Sequence, residues 1–346
     1  TTAALQTAVD LWVSDSASAV AAYGDINTWD VSLITDMSGL FDNKTAFNDD
    51  ISNWDVSSVT DMSFMFDDAR SFNQNLSTWD VSSVTTMRSM FDEAFSFNQD
   101  LTSWDVSSVT NMQDMFDGGS SSSFNGDIST WDVSSVTNMK KMFEETPFNG
   151  DISTWDVSSV TNMEGTFSQA SNFNQDISTW DVSNVTTMEY LFNNADSFNV
   201  DISTWDVSSV TNMHAMFYGT HSFNQDISSW DISNLTTTAN MFRETVSFNQ
   251  DISSWDVSSV TNMGSMLRDA NSFNQDISGW DVSNVTDMTD MFDGAEALSD
   301  TNKCFIHSSF QSNDAWPYDW PDNCYQFQTT AALQTAVDLW VSDSAS

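Results

Sequence analysis

Apolar and polar residues follow a pattern that returns about every 25 residues along most of the chain. The best-formed unit, FNQDISSWDVSSVTNMGSML from Phe248, sets Ile252, Trp255 and Val257 at relative positions 1, 4 and 6. That spacing is the L-x-x-L-x-L strand signature with Ile, Trp and Val in place of Leu. Trp-Asp-Val reads as a short strand with two side chains inward and the Asp outward. Val260, Met263, Met266 and Leu267 follow at the spacing of a helical or 3₁₀ return segment with one buried face. The predicted fold is therefore an α/β repeat solenoid: a leucine-rich-repeat-like right-handed coil with short parallel strands, a helical N-terminal cap and a disulfide C-terminal cap. A parallel β-helix is the competing architecture. A propeller is excluded, because its repeats need about 40–45 residues and four strands.

The dipeptide Trp-Asp starts at 29, 54, 79, 104, 131, 155, 180, 205, 230, 255 and 280, which predicts eleven coils. The one irregular pair of steps arises where DGGSSSSFNG lengthens a loop and EETPFNG shortens the next. Insertions confined to one loop are what stacked coils tolerate. The expected organisation is a capping helix over 1–22, the solenoid over 23–298, a cap over 299–328 and the start of a second module over 329–346. The cap holds the only cysteines, Cys304 and Cys324, beside Pro317 and Pro321, where a disulfide would staple it. Thr329–Ser346 repeats Thr1–Ser18 without a change. Leu5, Val9 and Trp12 share one face of the first helix, and Leu333, Val337 and Trp340 reproduce that face, so these six are the expected module junction.

The recurring DISxWDVSxVTNMxxMF unit resembles the tandem repeats of the BspA-like leucine-rich repeat surface proteins, over roughly residues 20–298. The resemblance implies an extracellular or cell-surface setting with adhesive or structural roles. It supplies neither a catalytic residue nor a ligand. The chain departs from the general leucine-rich pattern by placing Val where an Asn ladder usually runs. The Phe-Asn pairs offer a substitute, an internal structural ladder of Asn48, Asn73, Asn98, Asn125, Asn149, Asn174, Asn199, Asn224, Asn249 and Asn274.

Charge narrows the function classes. With 50 acidic and 8 basic residues the formal net charge is −42, which repels nucleic acid and anionic membrane surfaces. No apolar run approaches the roughly 20 residues of a membrane span, so direct insertion is not expected. The chain opens at Thr1 without an initiating Met or signal peptide, which is expected of a mature product or an excerpt. Hydrophobic residues make up 40%, with 25 Phe, 18 Met and 15 Trp, enough to bury a core and to argue against disorder.

Residues repeated in every coil become ladders. One runs through Asp30, Asp55, Asp80, Asp105, Asp132, Asp156, Asp181, Asp206, Asp231, Asp256 and Asp281. A second runs through Asp25, Asp50, Asp100, Asp127, Asp151, Asp176, Asp201, Asp226, Asp251 and Asp276, interrupted by Asn75. Carboxylates one strand apart repel by about 1 kcal/mol in water, so each ladder needs a partner: Ser and Thr hydroxyls, a cation such as Ca²⁺, or a basic protein. The first ladder from Asp55 to Asp281 is the candidate cation site. No D-x-D-x-D-G loop accompanies it.

Sequons at Asn43, Asn75, Asn184, Asn234 and Asn284 are candidates for N-glycosylation, the last three at equivalent places in every second coil. An enzyme would have to be built on His214, His221 or His307, and none sits in a recognisable constellation. No catalytic residue and no resident cofactor is expected. The expected partners are other copies of the module and, for an adhesin, glycans or cell-surface components.

Overall fold

The computed structural model describes residues 1–320, the side chain of Ser120 apart, together with Gln334 and Val337. The chain opens with α1 (Thr2–Ser14) and α2 (Ser16–Tyr23), and α3 (Asp300–Phe310) follows the repeats. Between them lie only 3₁₀ turns at Ile26–Thr28 and Gly119–Ser121 and a long succession of turns. Among the described residues there is no β-strand and no sheet, so the expected α/β leucine-rich-repeat solenoid with parallel strands is wrong.

The hydrogen bonds of one coil give the physical reason. The Trp255 N–H donates to the Ile252 carbonyl (3.2 Å) and the Val260 N–H to that of Val257 (2.9 Å), each closing a four-residue turn around a Ser-Ser pair. Met266 on Met263 (3.1 Å), Ala270 on Leu267 (3.1 Å) and Phe273 on Ala270 (3.0 Å) close three more. Apolar residues take the first and last place of each turn and polar residues the corners. The 1, 4, 6 spacing thus belongs to turns, whose ends are also three residues apart. The amides that close these turns are spent within the coil and are not available to a strand ladder.

The expected helical return segment is also corrected. Ser265 and Asp269 adopt φ of 53° and 56°, the left-handed conformation that a type II turn requires at its third residue. Helical bonding stops there. The N–H groups of Met263, Ser265, Leu267 and Asp269 instead donate to carbonyls of the next coil at 2.7–2.9 Å. Only isolated parallel bridges result, running from Asp36↔Asp61 through Asn262↔Asp287.

Elsewhere side chains tie the coils. Each Trp indole from Trp54 to Trp280 donates to a carbonyl of the preceding coil, as Trp255 does to Ile227 (3.1 Å). Thr261 donates through both N–H (2.9 Å) and hydroxyl (3.1 Å) to the Thr236 carbonyl. Inside, the Phe rings stack along the molecule, with Phe66 lying 4.0 Å from Phe72 in its own coil and 5.4 Å from Phe91 in the next. Ile252, Trp255, Val257, Val260, Met263, Met266 and Leu267 are all 4% exposed or less.

Both ends are closed. Leu5, Ala8 and Val9 of α1 are buried against the first coil. At the other end Trp316, Tyr318 and Trp320 pack on Phe292. Cys304 is disulfide-bonded, and Cys324 lies outside the described residues.

Candidate functional site

The Asp ladder is built into the turns. In each unit from Asp55 to Asp281 the carboxylate accepts the N–H of the Ser two residues on, at 3.0–3.2 Å. In Asp55, Asp80, Asp105, Asp181 and Asp206 the same oxygen also accepts the Ser hydroxyl at 2.6 Å. Bonding from the Ser hydroxyl, then from its N–H, holds Asp55, Asp80, Asp105, Asp206 and Asp256 below the usual carboxylate range. The whole row is exposed. Most of the second ladder does the same, as where Asp226 accepts from Ser228 (3.0 Å). Among the described residues no group of three or more His, Cys, Asp or Glu converges to hold a metal ion.

The asparagines form a ladder of another kind. The Asn249 N–H donates to the Asn224 side-chain oxygen (2.9 Å), and the Gln250 amide reaches the same oxygen (3.0 Å). These asparagines are exposed or half-exposed, not internal as expected. All five sequon asparagines are exposed. Asn184, Asn234 and Asn284 each donate a side-chain N–H to a Ser carbonyl of the preceding coil at 2.8 Å, which uses one of two amide hydrogens. Asn75 accepts the Ser77 N–H (2.8 Å), and Asn43, in the left-handed conformation (φ 58°), donates to Asp42.

The three histidines stand in separate environments. His214 meets the Tyr190 ring edge-on at 5.2 Å, His221 pairs with Asp196 (2.6 Å), and buried His307 accepts the Trp316 indole N–H (3.0 Å).

The coils differ from one another mainly along the segment between the first Met and the Phe of the next unit. This variability is visible in the sequence itself. The segment carries a stack of acids. Burial first, then the neighbouring carboxylates, raise Asp67 to about 6 and Asp92 to about 8. Burial and Glu144 raise Asp117 to about 7. Further on, Lys140 pairs with Glu164 (2.8 Å) and Lys141 with Glu144 (2.6 Å). Lys141, Glu164, Gly165, Gln169 and Tyr190 line an open cleft of about 400 Å³.

At the N-terminal end, α1 is tied to the coils by Thr2 to the Asp36 carbonyl (2.9 Å), Gln6 to the Leu40 carbonyl (3.2 Å), Trp12 to Asp49 (2.9 Å) and Asp10 to Lys44 (2.8 Å). Leu5, Val9 and Trp12 of the expected junction therefore all face their own coils. Of the matching residues, Val337 is helical and 44% exposed, and Leu333 and Trp340 lie outside the described residues.

Stacked turns with one variable face define a tandem-repeat protein. Residues 13–123, 119–228 and 198–305 each match the family described as "Mycoplasma protein of unknown function, DUF285", and the chain belongs to that family. This assignment is coarser than the BspA-like surface proteins that the motif resembles. No curated protein matches the chain.

Proposed function

We propose that the protein is a non-enzymatic extracellular structural component: one period of a tandem array, or one unit of a head-to-tail surface fibre. The observation that carries this reading is the exact repetition of Thr1–Ser18 at Thr329–Ser346, against coils that all differ from one another. The uniform ladders support it, because a face repeated in every coil presents a lattice to its surroundings and not one recognition point. Resemblance of the units to BspA-like repeats supports the cell surface, and the sequons at Asn43, Asn75, Asn184, Asn234 and Asn284 are compatible with a sugar coat. Electron microscopy of native material tests the reading. Fibres with an axial repeat of one module are expected, and separate compact particles would overturn it.

A second reading, an adhesin, is favoured by the cleft on the variable face. It joins an exposed aromatic, Tyr190, to Lys141, Glu164 and Gln169, a combination suited to a sugar ring and its hydroxyls. A glycan array probed with the wild type and with Tyr190→Ala separates the two. One saturable glycan lost in the variant would favour the adhesin.

A further inference from the structure

We infer that the variable face pairs with the same face of a second copy of this chain, antiparallel, about a two-fold axis at the sixth coil. This goes beyond the array reading and does not rest on it, since head-to-tail linking would use the two ends and pairing uses the side. The order of residues along the face is its own complement. With coils counted by their Trp-Asp, Trp29 first and Trp155 sixth, the axis sets the second coil against the tenth and the third against the ninth. One row of the face is the residue after each Phe of the return segment, or after Leu267. It runs acidic through Asp67, Asp92 and Asp117 and turns basic at Arg243 and Arg268. Antiparallel pairing sets Asp67 against Arg268, Asp92 against Arg243 and Asp117 against Tyr218, whereas parallel pairing in register would set each carboxylate against itself.

The centre of this register has the shape that pairing needs. The axis falls on the open cleft lined by Lys141, Glu164, Gly165 and Tyr190. Gly165 leaves the axis itself without a side chain, and Tyr190, one coil on, is 37% exposed in the left-handed conformation (φ 56°). Pairing brings the Tyr190 ring of each copy against the Lys141 of the other, a cation over an aromatic face, and Lys140 against Glu189. Phe rings of neighbouring coils from Phe41 to Phe242 lie within 14° of parallel, so the coils stack with little tilt and the rows keep their order along the face.

Carboxylates that one chain crowds together find their counter-charge on the other. Asp67, Asp92 and Asp117 are half-buried side by side. Arg243 and Arg268 hold Glu244 (3.3 Å) and Asp290 (2.9 Å), which positions guanidinium groups that carry five N–H donors each. Acids that would meet like charge are mostly paired within their own chain: Asp68 and Glu93 with Arg70, Asp269 with Arg268, and Glu164, on the axis, with Lys140. Asp42 and Asp293, at the ends of the row, are the like charges left facing.

Charge exchange tests the inference on the full chain, by sedimentation velocity at physiological ionic strength, where repulsion between two chains of net charge −42 is screened beyond about 8 Å. The wild type is expected to dimerise. Asp92→Arg and Arg243→Asp each set like charges together and are expected to raise the dissociation constant by about tenfold or more, and the variant carrying both is expected to dimerise again. Residues 92 and 243 stand in the third and ninth coils of one chain, so that rescue can come only from contact between chains. Asp92→Arg with Arg268→Asp matches no pair in this register and is expected to remain monomeric. Tyr190→Ala, which adds no charge, is expected to weaken the dimer by about tenfold, with unfolding midpoints showing that every variant folds. A wild type that is monomeric at every concentration, dimers that survive both single exchanges, or no rescue by the double exchange would overturn the inference. So would a glycan that saturates the cleft of a chain that stays monomeric, which would give this face to the adhesin reading. Fibres are read separately by microscopy, so loss of pairing and loss of the array are distinguishable.

Discussion

At the residue scale the chain contains two opposite populations of carboxylate. In the turn ladders Asp55, Asp80, Asp105, Asp206 and Asp256 are solvated and hydrogen-bonded by Ser, and sit low. Those stacked on the variable face, Asp67, Asp92 and Asp117, are part-buried beside one another and rise to about 6, 8 and 7. A raised carboxyl binds more protons folded than unfolded, so its contribution to stability falls as pH rises from the unfolded value near 4 through the folded one. The lowered ladder acids act the other way, and their contribution is lost only as pH falls below about 4. Thermal unfolding followed from pH 8.5 downward should therefore shift to higher temperature until about pH 5, then fall. Asp92→Asn removes the carboxyl most disfavoured when charged. It should stabilise by about 1 kcal/mol at pH 8.5, a figure discounted for partial exposure, and flatten the profile above pH 6. A variant no more stable than the wild type at pH 8.5 would show that Asp92 is comfortably ionised.

At the element scale the unusual feature is a coil made of turns, with left-handed residues at two places in most units. Where glycine holds them, as at Gly165 and Gly219, the conformation is free of steric cost. Ser265 and Tyr190 hold them at about 1 kcal/mol each, offset by the bonds their N–H groups make to the next coil at 2.8 and 2.9 Å. Ser265→Gly should raise the unfolding free energy by about 0.5–1 kcal/mol, and Ser265→Val should lower it by more than 1 kcal/mol, as read by chemical denaturation. Equal midpoints for the two would mean the site is not strained. This element also marks where sequence reading stopped. The period and the identity of the core were legible, because Ile252, Trp255, Val257 and Met263 recur at fixed spacing and all prove buried. The backbone joining them was not, because apolar residues three apart suit a strand signature, a helix and the two ends of a turn alike. No glycine signals the left-handed residue in the Phe248 unit, where Ser265 and Asp269 take it. The partner of each Trp indole was equally hidden, since a carbonyl leaves no mark in the sequence.

At the scale of the whole molecule, repetition turns small local repulsions into a collective property. Each coil adds carboxylates to rows already occupied, and the net charge reaches −42 with few cations to offset it. Between exposed charges such repulsion is screened over about 8 Å at physiological ionic strength, so stability should rise with salt. The choice between general screening and bound calcium follows from the same geometry. Every ladder Asp from Asp55 to Asp281 already spends one oxygen on a Ser N–H, and among the described residues no three His, Cys, Asp or Glu are placed to hold a metal ion. A calcium site needs six to eight oxygens at once. Sodium chloride should therefore raise the unfolding temperature steadily, and calcium chloride at equal ionic strength should match it, with no drop on adding chelator beyond the change in ionic strength. A calcium-specific gain that saturates at low concentration and is reversed by chelator would show that ordered cations, and not diffuse counter-ions, hold the rows together.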